Sequence, residues 1–310
     1  MLEYLVKRMV ASVPTVIAVV LAVFFLIHIA PGDPIDILVG ENASGVMKAK
    51  VVKEYALDKP LYMQALFFLK NVFFKGGGKS IFYGKSCFDL IRLKFVNTLF
   101  LGGTAFFLAV FFSFFFSFLS FFYQGRLADK VITFFATIGM SLPSFWFGIL
   151  LLIVFSVKLK MFPVSGTGGF YHVFLPALTL AVPMGSYVLH ILRGELIAKK
   201  NERFVLSLKA RGIKEFLIYV KHILKNALIP VVMVLALQTG FLLTGAIITE
   251  TIFSWDGIGL LLITAINVRD YPLVQSLAIF IAIVYIYSNI FGDVVMAFMD
   301  RRITFEKRDL

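Results

Sequence analysis

The chain has 310 residues, 60% of them hydrophobic and only 15% charged, with a formal net charge of +12. An ordinary soluble domain carries about a quarter charged residues, so this balance excludes one and indicates an integral membrane protein. The basic excess does not mark a nucleic-acid binder, because the lysines and arginines border apolar runs and are not interleaved with stacking aromatics, and the lone Cys87 excludes an internal disulfide.

Six uncharged runs are each long enough for a hydrocarbon core of about 30 Å, which takes about 20 helical residues. They are Val10–Ala30, Asn97–Phe122, Val131–Val157, Val173–Leu192, Ile229–Thr249 and Leu273–Gly292. The expected fold is an all-α polytopic membrane protein with six transmembrane helices. The first run follows a charged start, as in a signal peptide, but it is too long for that and His28-Ile29-Ala30 is a poor cleavage site, so a retained span is expected. It stops at Pro31-Gly32-Asp33-Pro34, which cannot continue a helix.

Between the first two spans lies a long segment, Glu41 to Val96, with helical character over Lys53–Leu69. Its Gly76-Gly77-Gly78-Lys79-Ser80 looks like a phosphate loop. That motif needs glycine five positions before Gly78, where Phe73 stands, and no strand precedes it. The phenylalanines of the second span, among them Phe107, Phe111, Phe115 and Phe122, surround the helix without choosing a face. Pro143 is expected to kink the third span, whose Gly139, Ser141, Ser144 and Gly148 would let helices approach closely, and Pro176 and Pro183 to bend the fourth. The fifth carries Gln238, Thr239, Thr244 and, at its far end, Glu250. Polar groups at such depth face protein or a water-filled cavity, so these four are the candidate lining of a path.

With the N-terminus inside, seventeen basic residues fall on cytoplasmic segments and three on the two short external loops. That asymmetry places both termini in the cytoplasm. The ten basic residues of the segment between spans one and two would be external, and segments longer than about 60 residues are largely exempt from the rule.

Arg203 to Pro230 is the only long charged segment between two apolar ones. Ile213, Phe216, Leu217, Val220 and Leu224 recur at helical spacing, with Lys214, Lys221 and Lys225 opposite. A shorter helix precedes them, with Asn201 as its expected N-cap, Phe204, Val205 and Leu208 as its apolar edge, and Arg211-Gly212 as its stop. Gly212 would be the hinge, since glycine takes the left-handed turn without steric cost. Periodicity alone fits a docking element and a solvated basic loop equally well.

The run Ser207-Leu208-Lys209-Ala210-Arg211-Gly212, followed by Asn226-Ala227-Leu228-Ile229-Pro230, resembles the EAA signature of bacterial ABC-importer permeases, in its dipeptide, oligopeptide and nickel branch. Pro31-Gly32-Asp33-Pro34, the stretch ETIFSW at 250–255 and Arg269-Asp270-Tyr271-Pro272 are similar to that family's motifs and fall in its order. Departures are Val96 before Asn97-Thr98-Leu99, Asp256 after ETIFSW and Arg301 in the final motif, each where the family has proline. The resemblance implies a coupling loop over 193–228 between spans four and five, in which Phe204, Leu208, Lys209, Ala210, Arg211 and Gly212, with Pro230 just beyond it, serve coupling to a groove of a cytoplasmic ATPase. It further implies a second homologous permease, two ATP-binding cassette subunits, an external solute-binding protein and residence in the bacterial inner membrane. Short peptides are the expected substrate and nickel the alternative. The division expected is 1–95 for the first span and external segment, 96–303 for a five-span core and 304–310 for a cytoplasmic tail.

No catalytic constellation, cofactor motif or metal-ligand spacing is present: His28, His172, His190 and His222 are unpaired in sequence. A stand-alone ion-gradient transporter would show inverted repeats and acidic residues in mid-span, and neither is detected.

Overall fold

The computed structural model describes residues 2–29, 44–54, 58–74 and 76–299, so Pro31-Gly32-Asp33-Pro34, the motif at 299–303 beyond Met299 and the tail 304–310 lie outside the described residues. The helices are α1 (Leu2–Ile29), α2 (Gly45–Glu54), α3 (Leu61–Phe74), α4 (Cys87–Phe122), α5 (Leu127–Ser141), α6 (Ser144–Leu151), α7 (Phe170–Lys200), α8 (Arg203–Ala210), α9 (Glu215–Leu217), α10 (Leu224–Ile252), α11 (Ile258–Asn267) and α12 (Tyr271–Met299). Two stretches are π-helical: Leu152–Lys158, which continues α6, and Ile218–Ile223, which joins α9 to α10. Among the described residues four helical stretches are long and apolar enough to cross a membrane, Cys87–Phe122, Phe170–Lys200, Glu215–Gly240 and Tyr271–Val295. The pair α5 and α6 with its π-helical extension makes a fifth if counted as one span, and the described apolar part of α1, Met9–Phe25, is shorter.

The third span is not merely kinked. Its two halves, Leu127–Ser141 and Ser144–Lys158, are bent by 109° at Leu142-Pro143. Proline lacks the N–H that would continue the ladder and holds the residue before it extended; Leu142 has ψ 134°. Two of the four expected close approaches are present, those at the glycines. A Cβ on Gly139 would overlap the Ser186 hydroxyl, and one on Gly148 would stand 2.9 Å from Thr179 Cγ2.

The chain divides into two compact units, Met1–Leu99 with Ser254–Tyr287, and Phe100–Phe253 with Ser288–Leu310. In the first, Cys87, Leu90 and Ile91 of α4 pack with Ile258, Leu261 and Ala265 of α11 and Leu273 and Leu277 of α12. The glycine-rich turn belongs to this unit and serves it structurally. Ser80 donates its hydroxyl to the buried Asp270, whose carboxylate also accepts the Ile81 and Phe82 amides at 3.3 and 3.1 Å. Gly77 has φ +78°, and a Cβ there would overlap Ser276. Gly77→Ala is therefore expected to cost at least the ~1–2 kcal/mol of a left-handed L-residue. Thermal melting of the purified protein checks this; an unchanged melting temperature would sink it.

The stretch ETIFSW ends in the same unit. Trp255 is buried and donates its indole N–H to the Asn97 carbonyl at 3.0 Å, Asn97 Nδ2 donates to the Asp256 carbonyl at 2.7 Å, and the Ile258 amide donates to Thr98 Oγ1 at 2.9 Å. Asp256, which stands where the resembling family has proline, forms an ion pair with Lys94.

In the second unit α4 corrects one expectation. Its phenylalanines do choose a face: Phe107, Phe111, Phe115 and Phe122 are exposed, while Ala105, Ala109, Ser113 and Ser117 are buried. Small residues every fourth position let α7 come close: a Cβ on Gly185 would lie 3.1 Å from the Ala109 carbonyl, and Ser117 donates to the Leu189 carbonyl at 3.1 Å.

Candidate functional site

The 193–228 loop is built by two interruptions of helical geometry. Asn201 is not the N-cap of α8; it closes α7, with φ −89° and ψ 0°, and Glu202 takes the N-cap position without a side-chain cap, pairing instead with Lys199 at 2.6 Å. At the other end Gly212 has φ +75°, the Gly212 amide donates to the Lys209 carbonyl at 2.9 Å and the Ile213 amide to the Leu208 carbonyl at 3.3 Å. These two crossed bonds are the Schellman arrangement, and its usual apolar contact is here too, since Leu208 and Ile213 pack on the same core. Lys209 and Glu215 bridge the turn at 2.6 Å, and the carboxylate holds the Lys209 ammonium above its ordinary pKa.

The apolar residues of this loop face differently from the periodic reading. Val205 is buried, and Phe204 and Leu208 pack with it on a core of Phe121, Val188, Leu192, Leu196, Ile218 and Ile223 within the second unit. Beyond the turn the buried positions are Ile218, Ile223, Ala227 and Val231, spaced five, four and four, while Phe216, Leu217 and Val220 are exposed. The π-helical turn over Ile218–Ile223 accounts for the shift from Ile223 onward, because i→i+5 bonding rotates every later residue off the 3.6-residue register, whereas Phe216 and Leu217 precede it and face away from the core that holds Ile213 and Ile218. The surface left open therefore carries Leu206, 69% exposed, and Phe216, 71% exposed, with Lys209, Ala210 and Arg211 also exposed beside the turn. Pro230 sits inside α10, half-buried, and supplies no N–H to the Asn226 carbonyl.

Above this loop is a cluster that sequence reasoning missed. Arg193 forks onto Asp129, Nε to Oδ1 and Nη2 to Oδ2, both at 2.8 Å. Asp129 is buried and also accepts the Ser120 hydroxyl and the Gly125 amide. One ion pair thus ties the end of α4, the start of α5 and the end of α7. Sequence offers a faint signal for it: Asp129 is an acid in the first turn of an apolar helix, where a macrodipole favours it.

The four residues expected to line a path separate. Glu250 is wholly buried and faces protein. Thr239 donates its hydroxyl to the Ala236 carbonyl of its own helix at 2.7 Å, and the Thr244 side chain lies outside the described residues. Gln238 opens onto a chamber of about 270 Å3 at the break between α5 and α6 that it shares with Met140, Ser144, Pro183, Met184 and Tyr187. On α5 the hydroxyls of Thr133, Thr137 and Ser141 follow one face, each donating to the carbonyl four residues back at 2.8 Å. Back-bonding satisfies them, so that face is tolerable toward lipid. His190 meets the Thr137 hydroxyl at 3.3 Å, and the His28 side chain lies outside the described residues. A larger cavity of about 440 Å3 is walled chiefly by Phe112, Phe116, Val131, Phe135, Val182 and Leu189, with Ser113 and Ser186 among an otherwise apolar lining.

Two family descriptions match the chain: "Binding-protein-dependent transport system inner membrane component" over residues 105–305, and the N-terminal domain of the corresponding membrane component over residues 1–89. The chain is 33% identical over 306 residues to the glutathione transport system permease protein GsiC of Escherichia coli strain K12, covering 99% of this chain and 100% of that one. The GsiC proteins of Salmonella typhi and Pectobacterium atrosepticum match at the same identity and coverage. Among solved structures, the MetNI methionine ABC transporter in inward-facing conformations matches with a TM-score of 0.57 at 13% identity, over 68% of this chain and 97% of that chain. An amino acid ABC transporter with histidines matches with a TM-score of 0.54 at 16% identity, over 69% and 94%. At those identities the two structures speak for the fold.

Proposed function

Because this chain belongs to the family of inner-membrane components of binding-protein-dependent transport systems, and is thus a permease subunit of an ABC importer, we propose that it forms half of a path for short peptides of glutathione size. The substrate reading is supported by the full-length similarity to proteins named for glutathione transport. The chain sits in the bacterial inner membrane with α1 as a sixth span and both termini in the cytoplasm, an orientation supported by the distribution of its basic residues. Its partners are a second, homologous permease, two ATP-binding cassette subunits and an external solute-binding protein, with bilayer lipid around the exposed phenylalanines of α4.

One observation carries the coupling part of this reading: the glycine-jointed elbow of α8 and α9 leaves large apolar side chains uncovered beside basic ones. Leu206 and Phe216 are the anchors that enter an ATPase groove, with Lys209, Ala210, Arg211 and Gly212 shaping and orienting the elbow, while Phe204 and Leu208 brace it from within and Pro230 ends the rigid part. Leu206→Asp should abolish co-purification of the ATPase subunits and leave the thermal stability of the permease unchanged. Phe204→Ala should do the reverse, lowering stability by ~1–3 kcal/mol, less than a fully buried phenylalanine because Phe204 is half-buried at the edge of the core. If Phe204→Ala alone released the ATPase from a fully stable permease, the assignment of anchors would be inverted.

The substrate is tested with the whole importer in proteoliposomes, following labelled glutathione, a dipeptide and nickel. ATP-dependent uptake of the peptides is expected. Uptake of nickel without peptide, or uphill transport by this chain with no ATPase present, would overturn the reading.

A further inference from the structure

The chamber at the α5–α6 break has a chemistry that packing does not explain. Gln238, Tyr187 and Ser144 bring to it a carboxamide and two hydroxyls, and none of them is hydrogen-bonded to another described residue. In the middle of a membrane protein, polar groups are ordinarily tied to backbone, as Thr137, Ser141 and Thr239 are. The rest of the wall is thioether and aliphatic, led by Met140 and Met184, and no charged side chain lines it.

We propose that this chamber is a transit subsite for one uncharged residue of the passing peptide, read through its backbone. This rests on the reading of the chain as a peptide permease and deepens it. A glutamine carboxamide offers one acceptor and two donors, the complement of a peptide group's N–H and C=O, so Gln238 can hold any residue without regard to its side chain. The two hydroxyls serve the neighbouring carbonyl and amide. Met140 and Met184 take up the side chain: an unbranched thioether fits shapes of many kinds, which suits a path that must pass varied sequences. At about 270 Å3 the chamber lies just under the ~300–1,000 Å3 of pockets that enclose whole small ligands, so it holds a residue and its peptide bonds, not an entire tripeptide. The walls can also change. Met140 and Ser144 stand on either side of the Pro143 break and Pro183 interrupts the ladder of α7, so the chamber is bounded by the two places where these helices bend most easily.

The test uses the complete importer in proteoliposomes, with labelled glutathione and labelled dialanine as probes. Gln238→Leu should lower the uptake of both about tenfold, the worth of one lost amide pair, while the loaded binding protein still stimulates ATP hydrolysis. A second readout does not depend on transport: Met140→Cys is alkylated by N-ethylmaleimide, Cys87 being buried, and saturating peptide with binding protein and ATP should slow that alkylation several-fold. Slowed uptake with no protection of position 140 would reduce Gln238 to a structural residue and overturn the subsite, as would protection equal with and without peptide, which would mark a lipid chain in the chamber. Full uptake by Gln238→Leu overturns it while leaving the permease reading intact. Absence of peptide uptake by the unaltered importer removes both.

Discussion

Replacing Arg193 by alanine is expected to be the most damaging single change in the second unit. Asp129 would remain buried with its Ser120 and Gly125 donors but no counter-charge. Stranding one partner of a buried pair costs ~3–5 kcal/mol, whereas replacing both by neutral groups of similar shape is often close to harmless. Arg193→Ala should therefore lower the melting temperature of the detergent-solubilised permease by about 10 °C, given ~2–4 °C per kcal/mol for a chain of this class. Arg193→Gln combined with Asp129→Asn should recover most of that loss. A double variant no more stable than Arg193→Ala would show that the three-helix junction depends on charge itself and not on avoiding an orphaned carboxylate.

Gly212→Val is expected to have the largest effect on transport. Gly212 holds φ +75° with open space around its Cβ position, so a side chain would meet no neighbour. The penalty lies in the backbone alone: a β-branched residue is a genuine outlier in the left-handed region. Relieving that strain means unwinding the crossed hydrogen bonds from Gly212 and Ile213, after which α8 and α9 lose their fixed angle. Membrane insertion should be unaffected, and ATP hydrolysis should persist. Peptide uptake should fall about tenfold or more, the equilibrium equivalent of the ~1–2 kcal/mol that a left-handed L-residue costs. Normal uptake in vesicles would mean the elbow transmits nothing. Gly212→Asn, which tolerates the same backbone region, should retain much of the activity.

How far sequence carried the structure depended on whether a residue's constraint was local. The Gly212 turn was legible because one residue's backbone freedom determines it. The break at Pro143 was legible in position but not in size, since a missing N–H says where a helix yields and not how far. The face of α4 was hidden because hydropathy scores alanine, phenylalanine and leucine alike; the signal was the size pattern Ala105, Ala109, Ser113, Ser117. The stripe beyond Gly212 was misassigned because a constant 3.6-residue period was applied across a π-helical turn, after which Ile223, Ala227 and Val231 are the buried positions, and because the core that takes Ile218 and leaves Phe216 outside is built by distant helices. Pairings such as Ser80 with Asp270, 190 residues apart, and Arg193 with Asp129, 64 apart, were beyond any local pattern. Of the four path residues, Gln238 opened onto a cavity and Glu250 did not, a distinction set by which helices meet and not by residue type.

The 109° turn between Leu127–Ser141 and Ser144–Lys158 bears on the electrical character of a path beside it. A bilayer insulates because about 30 Å of hydrocarbon separates two conductors. Neither Leu127–Ser141 nor Ser144–Lys158, at ~1.5 Å per residue, makes a rod that spans that thickness. Water admitted at the break would shorten the stretch of low-dielectric material over which the transmembrane voltage falls. A zwitterionic solute passing there would then carry its two opposite charges through a steep, narrow field one after the other, and its uptake into proteoliposomes is expected to depend on the imposed membrane potential.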